Sequence, residues 1–178
     1  GVLGVLGSFA VASALFVQML GADVGDRAVQ VPMFDWIDVG NLNLSAALLV
    51  DQLSILFALL VTGVGSLIFI YSVGYMAEDP NRRRFFAFMN IFIAAMLTLV
   101  LADGYGVLFV GWEGVGLASY LLIGFWQQRR SAALAAKKAF VVNRIGDLGL
   151  LVAMFIMVAM FGSLNFTEVN QAAAGVDA

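Results

Sequence analysis

Apolar residues fill five long stretches of this chain, and short polar links separate them. A helix needs about 20 apolar residues, each rising about 1.5 Å, to cross a bilayer. The pattern therefore predicts an all-α membrane protein with about five transmembrane helices, over residues 1–20, 53–75, 85–101, 105–126 and 139–161. These helices make a transmembrane bundle over residues 1–162. Residues 163–178 are expected to form an outer tail or loop with an alanine-rich, irregular end.

The longest link, residues 21–48, is acidic and carries a strand pattern. It holds four aspartates, Asp23, Asp26, Asp35 and Asp38. Apolar and polar residues alternate over residues 33–39, and a period of two is typical of a β-strand with one solvated face. The link therefore predicts a small β-hairpin on the outer surface of the membrane.

Basic residues gather in alternate links. Seven of the nine lysines and arginines lie in two segments, residues 77–84 and 127–138, which we call the first and second basic links. Cytoplasmic loops of membrane proteins carry an excess of Lys and Arg. The pattern places both basic links in the cytoplasm, the N-terminus inside and the segment after residue 162 outside.

The composition agrees with a membrane protein and narrows its chemistry. The chain is 62% hydrophobic and 12% charged, whereas soluble domains are about 45–50% apolar and about 25% charged. The sequence has no basic footprint for nucleic acid. It contains no cysteine and no histidine, so proton chemistry must use Glu, Asp, Lys or Arg together with water. We expect no cofactor and no metal site in this chain.

Glu113 lies at the middle of the fourth predicted span. A charged side chain at bilayer depth costs roughly 2.5–3.5 kcal/mol on insertion scales, and such residues commonly serve ion or proton movement. Glu113 is therefore a candidate proton site; the alternative is a structural acid bonded to Trp112 or to a neighbouring helix. Gly111, Gly114 and Gly116 flank it, and they either let helices pack closely or leave room for water.

Charged residues also open the fifth predicted span. Arg144 and Asp147 are spaced i, i+3 on one helix face and can pair. The pair is either a structural salt bridge or an electrostatic element that tunes nearby proton sites. Lys137 and Lys138 precede them. One lysine can extend to the interface while the other turns inward, and the pattern does not distinguish the two.

Several runs closely resemble the L subunit of bacterial proton-translocating NADH:quinone oxidoreductase, respiratory complex I. The longest are residues 111–126 and 138–147, and residues 51–54 and 84–87 add to the match. The resemblance implies part of an antiporter-like helical bundle that couples quinone reduction in partner subunits to proton movement. It identifies Glu113 as the buried glutamate of the proton channel, with a lysine partner expected beyond this chain. It matches Lys138, Arg144 and Asp147 to the other charged positions of the following helix.

The resemblance also implies the surroundings of the protein. NADH, FMN, iron–sulfur clusters and quinone would bind to partner subunits, and this chain would belong to the enzyme without performing redox chemistry. Its partners would be other membrane subunits of complex I and the lipid bilayer, with no nucleic acid, in the inner (plasma) membrane of a cell. Two alternatives remain open: a subunit of an Mrp-type Na⁺/H⁺ antiporter, and a non-catalytic membrane scaffold.

Overall fold

The computed structural model describes residues 1–23, 25, 27–39 and 42–175, so Asp26 and Asp177 lie outside the described residues. The described part forms six helices and one two-stranded antiparallel sheet. The elements in chain order are α1 (Val2–Gly21), β1 (Val29–Val39), β2 (Leu42–Val50), α2 (Gln52–Tyr75), α3 (Arg82–Val100), α4 (Tyr105–Ile123), α5 (Arg130–Phe161) and α6 (Phe166–Ala174).

Five of the helices, α1 to α5, are long and apolar enough to cross a membrane. The predicted count of spans is therefore confirmed. Many of their large apolar side chains are exposed, which fits lipid or further helices as neighbours and would be unusual in water. At the start of α2, Asp51 accepts a hydrogen bond from the Ser54 amide over 2.7 Å, and Ser54 Oγ accepts one from the Asp51 amide over 2.7 Å. This reciprocal cap ends the strand and starts the helix.

Two helices extend beyond the predicted spans at their basic ends. Helix α5 begins at Arg130 and not at residue 139, so most of the second basic link is helical. Helix α3 begins at Arg82 and therefore includes basic residues assigned to the first link. An apolar pattern marks only the part of a helix that suits lipid. Alanine, leucine, lysine and arginine favour helix in water as well, so both helices continue beyond their apolar stretches.

The segment after residue 162 is also more regular than predicted. Gly162 ends α5 with a left-handed conformation (φ 71°), where a side chain would be strained. Asn165 then caps α6 by accepting from the Thr167 amide over 2.9 Å. The Tyr105 and Phe166 rings meet edge to face with centroids 4.8 Å apart. The cap and this ring contact order a segment whose sequence suggested an irregular tail.

The predicted hairpin is present and is longer than its alternating segment. Strand β1 pairs antiparallel with β2 from Val29↔Val50 to Val39↔Leu42. Its register shifts between Pro32 and Phe34, which suits a residue that has no amide hydrogen to donate. The hairpin packs on the α3–α4 turn, where the Leu49 amide donates to the Leu101 carbonyl over 2.8 Å.

Successive links between the helices lie at opposite ends of the bundle, as a chain with five spans requires. Both basic links lie at one end of the bundle, because Trp126 Nε1 donates to Asp79 Oδ2 over 3.0 Å and the Phe85 and Phe125 rings lie 5.4 Å apart. We call this the basic end. The hairpin, the α3–α4 turn and the α5–α6 link meet at the opposite end, which we call the hairpin end.

Helices α3 and α4 approach closely because two glycines of α4 face α3. A Cβ added at Gly111 would lie 2.5 Å from the Leu99 backbone nitrogen, and one at Gly114 would lie 2.8 Å from Ala95 Cβ. Such close approach is typical of membrane helix interfaces with small residues. The packing function predicted for the flanking glycines is confirmed at these two positions, and it fixes the face that α4 turns toward α5.

We expect Gly111→Ala to destabilise the subunit by about 1–3 kcal/mol, because the backbone of Leu99 would have to move to accommodate the methyl group. The measurement is the amount of subunit retained in the membrane after graded detergent or heat treatment. Gly74→Ala is the matched control, since no described atom lies within 4 Å of its added Cβ. Equal retention of both variants would contradict close packing at Gly111.

Candidate functional site

The site is a cluster of three charged side chains between α4 and α5, which we call the charge cluster: Glu113, Arg144 and Asp147. The Arg144 guanidinium forms an ion pair and hydrogen bond with the Glu113 carboxylate across the two helices. Arg144 Nη1 also lies 3.4 Å from Asp147 Oδ2 on its own helix. The predicted i, i+3 pairing is therefore present, and one arginine is shared by two acids.

Asp147 is the more enclosed of the two acids. Its side chain is 8% exposed, and Trp112 Nε1 donates to Oδ1 over 2.8 Å. One oxygen thus accepts from the indole and the other faces Arg144. Asp147 is therefore suited to hold Arg144 in place.

Glu113 is more accessible and less fully bonded. Its side chain is 24% exposed, and Oε2 makes the contact with Arg144. Among the described residues no donor bonds to Oε1. Trp112 bonds to Asp147 and not to Glu113, whereas the bond to a neighbouring helix that the structural alternative requires is present, through Arg144 of α5. A carboxylate with one free oxygen has room for a proton or a water molecule.

The surroundings of Arg144 fix its position without enclosing it. Its Cζ lies 4.6 Å from the centroid of the Phe140 ring, one turn earlier on α5. Its side chain remains 44% exposed. A cation over a ring face gains roughly 0.5–1 kcal/mol at such exposure. Arg144 is therefore held by two carboxylates and one ring, with a free side open to a further group.

The charge of the cluster is the property that matters chemically. With both acids ionised, two negative charges share one positive charge, and the cluster carries one net negative charge. A net charge at bilayer depth is unfavourable. One proton on one of the acids would neutralise the cluster. Of the two acids, Glu113 is the more accessible to a proton or a water molecule.

The structure does not bring Lys138 into the charge cluster. Lys137 and Lys138 are both exposed, and neither forms an ion pair with the described part of the chain. Because α5 is continuous from Arg130, Lys137 lies seven residues before Arg144 and on the same face, about 10 Å away along the axis. Lys138 lies about 120° around the helix from Arg144. The part that Lys138 plays stays a prediction.

A crevice of about 180 Å³ leads from the charge cluster toward the basic end. It is lined by Trp112, Val115, Gly116, Ser119, Asn143 and Asp147. A Cβ added at Gly116 would come within 3.9 Å of Asn143 Nδ2, so this glycine faces the crevice and not α3. The hydroxyl, the amide and the carboxylate offer partners that a bound water needs. The crevice therefore has the polar groups to hold water beside Asp147.

Sequence reasoning missed two of these contacts. It expected a lysine beyond this chain as the partner of Glu113 and did not predict that Arg144 forms an ion pair with Glu113. It also did not connect Trp112 with Asp147. The signal available was weak, since an indole N–H in a membrane span requires some acceptor but does not indicate which one.

Two family descriptions match the chain. Residues 36–86 match the N-terminus of chain 5 of NADH-ubiquinone oxidoreductase, complex I. Residues 102–177 match the transmembrane family of NADH:quinone oxidoreductase and Mrp antiporters. The second match contains the whole charge cluster.

Individual proteins agree with these matches. Subunit L of the NADH-quinone oxidoreductase of Mycobacterium tuberculosis is 57% identical over 169 residues, which are 95% of this chain and 27% of that protein. Subunit L of Escherichia coli is 44% identical over 164 residues, 90% of this chain and 27% of that protein. The solved Mrp complex of a Dietzia species contains a chain with a TM-score of 0.67 and 27% identity, over 93% of this chain and 18% of the other. The present chain thus spans about a quarter of the length of the two subunit L relatives.

Proposed function

The chain belongs to the subunit L (chain 5) family of antiporter-like membrane subunits of complex I, and from this membership we propose that it takes part in proton translocation, with Glu113 as the residue that binds and releases the proton. The observation that carries this proposal is the sharing of Arg144 between Glu113 and Asp147. A proton-uptake assay on complex with a neutral residue at position 113 tests it.

Arg144 provides a simple means of changing the protonation state of Glu113. A nearby cation favours the charged carboxylate, and its withdrawal favours the protonated form. When Arg144 lies against Glu113, the glutamate stays ionised. When Arg144 moves toward Asp147 alone, Glu113 loses its partner and takes up a proton on a carboxylate oxygen. Asp147 keeps its hydrogen bond from Trp112 in both positions and stabilises the displaced arginine.

The energy for this movement would come from elsewhere in the complex. Quinone reduction in partner subunits would change the charge or the position of a group beside the free side of Arg144. The lysine that the family resemblance implies beyond this chain is the natural candidate for that group. NADH, FMN, iron–sulfur clusters and quinone would bind to the partner subunits, and this chain would contribute the proton site alone. Lys137 and Lys138 would provide positive charge on the basic side of the cluster.

Mrp-type sodium–proton antiport is the second candidate, and the structural similarity to the Mrp complex favours it. The two functions differ in what drives the proton. Complex carrying this subunit should take up protons only while NADH is oxidised, with no dependence on sodium. Sodium-driven proton movement in the absence of NADH would favour the antiporter. A non-catalytic scaffold would tolerate neutral replacement of Glu113.

We propose that both basic links face the cytoplasm, because basic residues gather at one end of the bundle. Single cysteines replacing Asn81 and Asp38 are therefore expected to react with a membrane-impermeant thiol reagent from opposite sides. Asn81 lies at the basic end, and Asp38 is an exposed residue of the hairpin. Inside-out and right-side-out vesicles give the comparison. Reaction of both cysteines in the same vesicle orientation would refute the five-span arrangement.

A further inference from the structure

A second buried acid lies at the hairpin end, and the proton mechanism above does not use it. Asp103, in the turn between α3 and α4, is 5% exposed. Its Oδ1 accepts from Gln30 Nε2 and its Oδ2 from Asn165 Nδ2, each over 3.2 Å. Within the described residues no lysine or arginine lies within 4 Å of it. Asp103 is thus a buried carboxylate whose partners are two neutral amides.

These two amides come from different parts of the fold. Gln30 belongs to β1, and Asn165 lies in the link between α5 and α6. The backbone around Asp103 makes the same connections: its amide donates to the Ala47 carbonyl over 3.2 Å, and the Tyr105 amide donates to the Leu164 carbonyl over 2.8 Å. The Asp103 carboxylate therefore ties the hairpin and the end of α5 to the beginning of α4.

This connection bears on the charge cluster, because α4 carries Glu113 and α5 carries Arg144. Asp103 precedes Glu113 by ten residues, about 15 Å along the helix axis. At the opposite end, α4 and α5 are joined by the short segment of residues 124–129. The contacts of Asp103 hold the other end, so the two helices are tied together on both sides of Glu113.

We propose that Asp103 is a positioning residue for Glu113: by holding α4 against the end of α5, it sets the distance over which Arg144 and Glu113 meet. This inference rests on the proposed function of Glu113. Asp103 itself exchanges no proton in this scheme. It keeps the helices in the arrangement from which Arg144 can move between the two acids.

The chemistry of the site explains why a carboxylate is required. Asn165 Oδ1 accepts from the Thr167 and Glu168 amides over 2.9 and 3.4 Å, so its NH₂ group must face Asp103. Gln30 also presents an NH₂ group. Two donors need two acceptor oxygens, which a carboxylate has and an amide lacks. In Asp103→Asn, the single remaining oxygen can accept from only one of the two NH₂ groups, so the other would face an NH₂ group unless the Gln30 amide turned over; Asp103→Leu leaves neither amide an acceptor.

The same reasoning provides a rescue experiment. The double variant Asp103→Asn, Asn165→Asp exchanges the two groups, so that an amide at 103 donates to a carboxylate at 165 and still accepts from Gln30. An aspartate caps a helix as well as asparagine does, so the start of α6 is preserved. Asp38→Asn is the matched control, since it removes an exposed acid from the same end of the bundle.

Two measurements on the assembled complex test the proposal. The first is the distance between spin labels on cysteines replacing Val110 and Phe155, exposed residues of α4 and α5 that lie between the charge cluster and the hairpin end, with unsubstituted complex as background. The second is the number of protons taken up per NADH oxidised. We expect Asp103→Asn to broaden the distance distribution and to lower proton uptake several-fold. The exchanged double variant should recover both, and Asp38→Asn should change neither.

An unchanged distance distribution in both Asp103→Asn and Asp103→Leu overturns the positioning proposal, since Asp103→Leu leaves neither amide an acceptor. So does an exchanged variant that recovers the distance but not the uptake, because the charge at position 103 would then act directly. If Asp103→Asn fails to assemble, the exchanged double variant tests the proposal by itself, through its label distance and its proton uptake per NADH. If the proposed function of Glu113 is wrong, the result is different. The distance between the labels would still change in the Asp103 variants, but Glu113→Gln complex would pump protons normally.

Discussion

Complex carrying Glu113→Gln is expected to assemble and oxidise NADH but to lose the proton pumping that depends on this subunit. Glutamine has nearly the same size and still accepts from Arg144, so the α4–α5 contact persists. It cannot bind and release a proton. The measurement is proton uptake by membrane vesicles that contain the complete complex, normalised to NADH oxidation.

Two further variants make this test specific. Glu78→Gln removes an exposed glutamate from the first basic link and should leave pumping unchanged. Glu113→Asp should retain part of the activity, because the carboxylate remains but lies one methylene farther from Arg144. Normal pumping by assembled Glu113→Gln complex would refute the proposed site and favour a scaffold.

Arg144→Met is expected to have the second large effect, a several-fold loss of assembled subunit. It leaves two carboxylates facing each other, and Asp147 is nearly enclosed. Removal of one partner of a fully buried pair costs about 3–5 kcal/mol, and the cost here is lower because Arg144 is partly exposed. Asp147→Asn should be milder, since Arg144 keeps Glu113 and Trp112 keeps an acceptor. The measurement is the amount of subunit found in purified complex.

A variant with a fully neutral charge cluster distinguishes the effect of charge balance on assembly from the effect of side-chain packing. Adding Glu113→Gln and Asp147→Asn to Arg144→Met should restore assembly, because no uncompensated charge remains, but should not restore pumping. Arg130→Met, an exposed arginine of the same helix, is the control for loss of a cation. Equal assembly of the single and triple variants would show that charge balance is not what Arg144 contributes.

The sequence determined the membrane architecture because the bilayer imposes requirements that act on short stretches of chain. Each span needs a continuous apolar run, and the basic residues between the runs predict the orientation that we propose. Glu113 could be singled out because a single acid in such a run is unfavourable. The pairing of Arg144 with Asp147 followed from helix geometry alone, since the two residues are three positions apart.

Contacts between helices depended on the tertiary structure. By helical rise, Glu113 lies about 12 Å and Arg144 about 25 Å from the hairpin ends of their helices. Depth alone therefore gave no reason to pair them. They meet because the helix ends are staggered and an arginine side chain is long. Asp103 shows the same limit, because Asp103-Gly104 in the sequence indicates only a turn. Its two amide partners lie 73 and 62 residues away in the chain, and only folding brings such distant groups together.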